Sequence, residues 1–229
     1  KKLMAAGKNA PLDHLASRPA VVATEAVARA CLLSEWTGAR IHILHISSAD
    51  ELRPLRDAKA RGVDVTGETC PHYLLLDEHA YAKVGSIVRV NPPVRERHHQ
   101  EGVWAGLIDM IATDHAPHDP AEKVKDVIWQ ADCGFIGVET QMPLMLSQVN
   151  AGRLTLQDYV RMASVAPPQA FGLYPRKGSL LPGADADFTL IDLSAEDEIR
   201  ASRLHSRSRI TPFEGWRVKG LPVHTLVRG

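Results

Sequence analysis

Between residues 20 and 114 helical and strand patterns alternate with connections of only a few residues, and this alternation constrains the fold more than any other feature of the chain. Ala20 to Thr37 carries Val21, Val22, Ala26, Ala30, Leu33 and Trp36 at helical spacing, with Ser17 as a candidate cap, Pro19 in the first turn and Gly38 as the stop. Ile41 to Ile46 is rich in β-branched and apolar residues and predicts a strand. Ser47-Ser48-Ala49-Asp50-Glu51 opens a helix that runs to about Arg61, and Val63 to Glu68 predicts the next strand. Helix–strand–helix–strand order is the pattern of an α/β fold in which helices wrap a parallel sheet.

The third strand ends in the chain's most concentrated chemistry. Gln100 to Leu107 reads as a helix leading into the apolar run Ile108 to Ala112, which one Asp interrupts. The run stops at Thr113, and Asp114, His115 and His118 place three titratable groups in five positions just after a buried strand. Functional groups of wrapped parallel sheets gather at the carboxyl ends of strands. Two further strand ends carry them as well: His45 with Ser47 and Ser48, and Glu68 to His72. Strand alternation sends His42 and His45 to opposite faces, so His45 is expected inside and His42 packed under a helix. Imidazole and carboxylate together suit Zn²⁺, and Asp114 could take a proton from the attacking water and return it to a leaving nitrogen. Cys70 and Cys133 could be soft ligands but have no partner cysteine nearby.

The remainder of the chain reads less sharply. Residues 1–17 are mixed and polar and predict a loop; Asp77 to Val84 predicts a short helix, and Asn91 to Arg95 is extended by its prolines. Residues 121–137 read as a long loop, followed by helices at Val138 to Asn150, Thr155 (as cap) to Ala166, and Pro168 to Leu173. After Pro175 the pattern turns to β structure at Ala186 to Ile191, Trp216 to Gly220 and Val223 to Arg228, with 200–215 as a loop. The division expected is 1–176 for the α/β part and 177–229 for a small β region.

Charge and cysteine content narrow the classes of function. Lys+Arg and Asp+Glu are each 27, so bulk electrostatics favours neither a nucleic acid nor a membrane surface. No apolar run approaches the roughly 18 residues that span a bilayer. Three widely spaced cysteines argue against a disulfide framework and fit a reducing, cytoplasmic setting.

Six motifs occur in an order that resembles the cyclic amidohydrolases, the dihydroorotases, allantoinases and hydantoinases of the amidohydrolase superfamily. They are His45-Ile-Ser-Ser48, Glu68-Thr-Cys-Pro-His-Tyr73, Asn91-Pro-Pro-Val-Arg95, Ala112-Thr-Asp-His-Ala-Pro-His118, Gly134-Phe-Ile-Gly-Val-Glu-Thr140 and Gly183-Ala-Asp-Ala-Asp187. The second to fifth elements of this set, with Thr211-Pro-Phe-Glu-Gly215, separate the subgroups. Asn91 to Arg95, Ala112 to His118, Gly137 to Thr140 and Thr211 to Gly215 look like a type I dihydroorotase; His72-Tyr73 looks like an allantoinase; hydantoinases usually have Gln where His72 stands.

The resemblance implies the C-terminal part of a (β/α)₈ TIM-type barrel, strands 6 to 8, plus a small β-rich composite sandwich domain. It implies one or two Zn²⁺ ions, with His45 a metal ligand and Asp114 both ligand and catalytic acid/base. Asn91 and His118 would bind substrate, with the backbone at Cys133 and Gly134 closing over it, while His72 supports the structure. The substrate implied is a small cyclic amide, dihydroorotate in pyrimidine biosynthesis, and the enzyme is expected to be a homo-oligomer. Relatives supply further ligands from an HxH pair, a carboxylated Lys or Asp, and a His of earlier strands, so this chain looks like a C-terminal half. A small turn that relatives carry is also missing between Leu107 and Ile108. The alternatives are allantoinase or hydantoinase/dihydropyrimidinase activity, and, in another class, a catalytically silent dihydroorotase-like scaffold.

Overall fold

The computed structural model describes residues 1–106 and 109–229. The Leu107–Ile108 junction, where a small turn is expected, lies outside the described residues. The N-terminal segment departs from expectation. Residues predicted as loop form α1 (Lys2–Ala5) and α2 (Pro11–Ala16), the latter started by a proline at its first position. The polar look of α2 hides a buried His14, whose Nε2 donates to the Val90 carbonyl at 2.9 Å. Ser17 does not cap the next helix; its hydroxyl donates back to the His14 carbonyl at 2.7 Å, and Pro19 precedes the helix.

The long helix α3 (Ala20–Thr37) ends at Gly38 as expected, but it buries Val27, Cys31 and Ser34, leaving Val21, Val22, Leu33 and Trp36 exposed. Apolar residues surround most of this helix, so periodicity alone could not select the inner face. β1 (Ile41–Ile43), α4 (Ala49–Ala60) and β2 (Val65–Thr69) follow, then a short α5 (Pro71–Leu75) that no periodicity announced. α6 (Ala80–Val84) and α7 (Arg97–Ala105) lead to β3 (Met110–Ile111). The strands form a parallel sheet in the order β1-β2-β3, with His42 opposite Thr66 and Thr69 opposite Ile111. Asp109, the charge within the apolar run, accepts from the Gly67 amide at 2.8 Å and from Lys59 at 2.6 Å. A partly buried carboxylate is satisfied in this way and fixes where β3 begins.

Helices cover one face of this sheet. Val27 and Cys31 of α3 pack with Leu52, Leu55 and Ala58 of α4 against Val65, and Ile41 and Ile43 complete the layer. Residues 121–137 are not one loop: α8 (Pro120–Lys123) and a single 3₁₀ turn at Ile128–Gln130 interrupt them. α9 (Val138–Asn150) has the predicted bounds, and Thr155 caps α10 (Leu156–Val160), accepting from the Asp158 amide at 3.0 Å. The helix predicted onward to Ala166 widens into a π turn at Arg161–Val165 before α11 (Ala166–Ala170). Pro167 and Pro168 supply no amide hydrogens for regular helical bonding there, a cause of such widening.

Beyond residue 177, β4 (Phe188–Glu198) and β5 (Arg217–Leu226) pair antiparallel, and β5 is one strand where two segments are predicted. The pairing shifts register at Leu190/Ile191 and Asp192/Glu196, which bends the ribbon. α9 supports this sheet: the Asn150 amide donates to the carbonyls of Leu193 and Lys219. Gly220 permits the approach, since a Cβ there would stand 2.7 Å from that of Leu146.

Candidate active site

The three parallel strands finish at one edge, and backbone hydrogen bonds continue past the strands themselves. The Ile46 amide donates to the Glu68 carbonyl, Thr69 Oγ1 to the Ile46 carbonyl, and the Ala112 amide to the Thr69 carbonyl, all at 2.8–2.9 Å. His45 immediately precedes this ladder on the first strand and Asp114 follows it on the third. With β2 between them, their backbones are separated by two strand spacings, roughly 10 Å, a gap that two inward side chains can close.

Both residues have left-handed backbones, His45 at φ 39° and Asp114 at φ 46°. Arg228 is the only other such residue besides glycine among the described residues. His, Asp and Asn tolerate this region better than other side chains, and strain of this kind concentrates where a side chain must be aimed. The local electrostatics couples these strand ends. Burial raises the Asp114 carboxyl above its usual range, the charge of His45 opposes that rise, and the Glu68 carboxylate adds to it.

His42, expected under a helix, packs edge-on against the ring of Phe171, which ends α11, at 5.5 Å. Ile41, Ile43 and Val65 occupy the helix-facing side, so His42, Thr66 and Glu68 share the other. His42 Nδ1 lies 2.8 Å from Thr66 Oγ1 and its Nε2 3.1 Å from Glu68 Oε2. β1 stops at Ile43 and the backbone turns left-handed at His45, so strand alternation does not extend to that residue. Both imidazoles line one cavity of about 570 Å³, together with Asn91, Arg95, Glu51 and Arg18.

The next layer is a hydrogen-bonded support. Glu51 Oε1 accepts from the amides and hydroxyls of both Ser47 and Ser48, at 2.8–3.0 Å. Buried Arg95 donates from Nε to Ser47 Oγ at 3.2 Å, so the Asn91–Arg95 segment is bonded to the turn after His45. A capping box with a buried carboxylate thus ties two sequence-distant motifs together.

Asn91, His118, Cys133 and Gly134 also come together. Asn91 Nδ2 lies 3.1 Å from Cys133 Sγ, and His118 Nε2 donates to the Cys133 carbonyl at 3.0 Å. Gly134 adopts φ 112° with its amide bonded to the Arg89 carbonyl at 2.9 Å, and a Cβ there would lie 2.4 Å from that of Ala116. Only glycine fits that approach. His118 Nδ1 faces Asp132 and Glu122 at 3.6 and 3.8 Å, so both ring nitrogens have protein neighbours. His115 serves a different purpose: its Nδ1 accepts from the Gly137 and Val138 amides at the start of α9. His72 is buried between the rings of Tyr73 and Phe135, at 4.1 and 4.9 Å, and burial lowers its pKa to about 3. Cys70 is fully buried, and burial raises its thiol well above the normal range, so it stays a neutral core residue.

Comparison with known proteins agrees with these features. A family model described as the amidohydrolase family matches residues 11–229. The chain belongs to the amidohydrolase family. This amidohydrolase chain is 44% identical over 209 residues to a dihydroorotase of Geobacter sp. (strain M21), covering 89% of the chain and 48% of the relative. It is 38% identical over 237 residues to an L-hydantoinase of Paenarthrobacter aurescens, covering 100% of the chain and 52% of the relative. Among solved structures it superposes on the L-hydantoinase (dihydropyrimidinase) from Arthrobacter aurescens with a TM-score of 0.96 at 36% identity, covering 100% of the chain and 52% of that structure. The amidohydrolase chain therefore has the fold of part of a TIM-type barrel enzyme, and it spans about half the length of the relatives it matches. Amidohydrolases are in general metal-dependent. Among the described residues, clusters of three metal-type donors occur at Asp77/Glu78/His79 and at His118/Glu122/Asp132, and neither includes His45 or Asp114.

Glu68 and Arg95 stood inside sequence motifs and His42 entered through strand alternation, but none of the three was assigned a role at the site from sequence. The parity of β2 offered a clue, since Thr66 and Glu68 share the face away from the helices and Glu68 is the last residue on it before the strand ends.

Proposed function

We propose that this chain is the C-terminal part of a zinc-dependent hydrolase that opens a cyclic amide ring, converting dihydroorotate to N-carbamoyl aspartate and back. The observation that carries the reading is the pairing of His45 and Asp114: two strand-end residues in left-handed conformation whose charges influence one another. Residues 1–176 form the barrel portion in this reading and 177–229 the portion of a small β domain. The complete enzyme is a homo-oligomer acting in the cytoplasm on a small molecule.

The donor chemistry fits zinc. An imidazole and a carboxylate are ordinary zinc ligands, and the half-buried edge holds two carboxylates, Asp114 and Glu68, whose mutual repulsion a cation offsets. Zinc bound there supplies Lewis-acid polarisation of the ring carbonyl and a nucleophile at neutral pH. His45 and Asp114 would hold it with ligands from outside this chain. Asp114 also carries the proton, taking it from the attacking water and delivering it to the ring nitrogen as the amide bond breaks; a carboxyl raised by burial suits the second half of that task. Asn91 lines the cavity and its amide donates to Cys133 Sγ, so in this reading the ring would lie beside Asn91 with the Cys133–Gly134 backbone next to it. Arg95 and Glu51 keep the His45 turn in place.

A second reading, hydantoinase, gains from the L-hydantoinase relative, whose match extends over the whole chain. Allantoinase rests on His72-Tyr73 alone. Both keep the same chemistry with a different ring. A silent scaffold is disfavoured by the retention of both His45 and Asp114. Turnover assays of the full-length protein with dihydroorotate, allantoin and a 5-substituted hydantoin, with zinc supplied, decide among them. Hydrolysis of dihydroorotate well above the other two is expected; no turnover of any would overturn the enzyme reading.

A further inference from the structure

Lys123 is the last residue of α8 and is 1% exposed, among the largest fully buried side chains of the molecule. Its Nζ donates to the Asp132 carbonyl at 2.7 Å and to the Arg89 carbonyl, and it stands 5.9 Å from the centre of the Phe135 ring. These contacts lie beside the residues assigned to substrate. Arg89 is two positions before Asn91, and Asp132 directly precedes Cys133. The Arg89 carbonyl also accepts the Gly134 amide, and the Arg89 guanidinium donates to the Ala131 carbonyl. Two backbone segments, 89–91 and 131–135, are thus stitched together around one ammonium.

An ammonium is an expensive group to bury. Desolvation above all lowers the Lys123 pKa to about 7, with the Arg89 charge acting in the same direction and Cys133 and Asp132 opposing it. An apolar residue of similar size would serve packing alone at least as well. What a lysine adds is a donor able to reach two carbonyls at once, on segments that no regular secondary structure joins.

We propose that Lys123 is a positioning residue for the substrate: it holds the Asn91 segment and the Cys133–Gly134 segment at a fixed separation before the ring arrives. The proposal rests on the reading of Asn91, Cys133 and Gly134 as substrate-binding. Such a residue makes the binding geometry ready-formed, so its loss weakens ground-state and transition-state binding alike.

The test uses the full-length protein with dihydroorotate. Lys123→Met should raise KM about tenfold, the scale of one charge-assisted hydrogen bond, with kcat changed less than about threefold. Lys123→Gln, which keeps a donor, should recover part of the loss. An unchanged KM, or a fall in kcat alone, overturns the proposal. Amide hydrogen exchange of the unaltered full-length protein gives a reading that needs no variant to fold. Residues 132–135 should be protected without substrate; exchange at the rate of a free loop, with protection only when dihydroorotate is added, also overturns it. Should the unaltered protein turn over none of the three ring substrates, the functional reading fails, while the exchange result still decides whether the two segments are held in advance.

Discussion

His42 and Glu68 face each other across the first two strands, with the imidazole Nε2 3.1 Å from the carboxylate. Because the Glu68 carboxylate can only accept, Nε2 donates to it, while Nδ1 lies 2.8 Å from the Thr66 hydroxyl, so both ring nitrogens have a partner. Replacing the ring by an apolar one strands a partly buried carboxylate. His42→Leu in the full-length protein should cost about 1–3 kcal/mol, read as a lower denaturant midpoint with an unchanged slope. Its effect on kcat should be smaller than that of Asp114→Asn; an equal loss with the fold intact would put His42 in the chemistry.

Asp114→Asn tests the proton carrier with little structural disturbance. Asparagine adopts the φ of 46° as readily as aspartate, so circular dichroism and melting temperature should barely change. Turnover should drop at least about 100-fold, the usual contribution of a positioned acid/base. Retention of substantial kcat in that variant would reassign the proton to another group.

Gly134→Ala should perturb the segment over the ring. The added Cβ meets the Ala116 Cβ at 2.4 Å, and φ of 112° is a conformation that L side chains rarely adopt. Together these should cost about 1–3 kcal/mol and raise KM, measured by thermal unfolding and steady-state kinetics. A variant with wild-type stability and KM would show that the backbone here yields easily.

His14 predicts an acid-side loss of stability. Burial lowers its pKa from 6.5 to about 4, and its partners agree with a neutral ring: Nε2 donates to the Val90 carbonyl and Nδ1 faces the Arg18 guanidinium at 3.3 Å. The unfolded chain therefore binds a proton between pH 6.5 and 4 that the folded one does not. Stability from this group is fully present above pH 6.5 and falls as pH drops toward 4, by roughly 3 kcal/mol over that range at about 1.4 kcal/mol per pH unit. Unfolding titrations from pH 7 to 4 should show the decline, and His14→Gln, which keeps a donor for Val90, should flatten it. An equal slope in the variant would assign the decline to other groups.

Much of the frame was legible. Val138–Asn150 and the Thr155 cap were readable because propensity, capping and spacing agreed there, and the strand ends at His45 and Asp114 because apolar runs stopped abruptly in polar groups. The face of α3 was not, since Val22 and Trp36 are as apolar as Val27 and Cys31 and only the position of the sheet decides between them. The alternation argument for His42 and His45 was carried past Ile43, where the strand had already ended. The roles of Lys123 and Glu51 depend on partners distant in space or on burial, neither of which local pattern expresses. The neighbours of His118 in the fold, Cys133, Asp132 and Glu122, lie beyond its motif and could not be read from it.

The left-handed backbone at positions 45 and 114 bears on how this protein can diversify. Cysteine, glutamate or a branched residue at either place would carry a penalty of about 1–2 kcal/mol, so the set of residues that fit there is short: histidine, aspartate, asparagine or glycine. On the proposed reading, in which these two side chains hold a metal, a lineage or a mutant library that alters which ion this edge prefers would do so through donors contributed elsewhere, with these two corners as the fixed point.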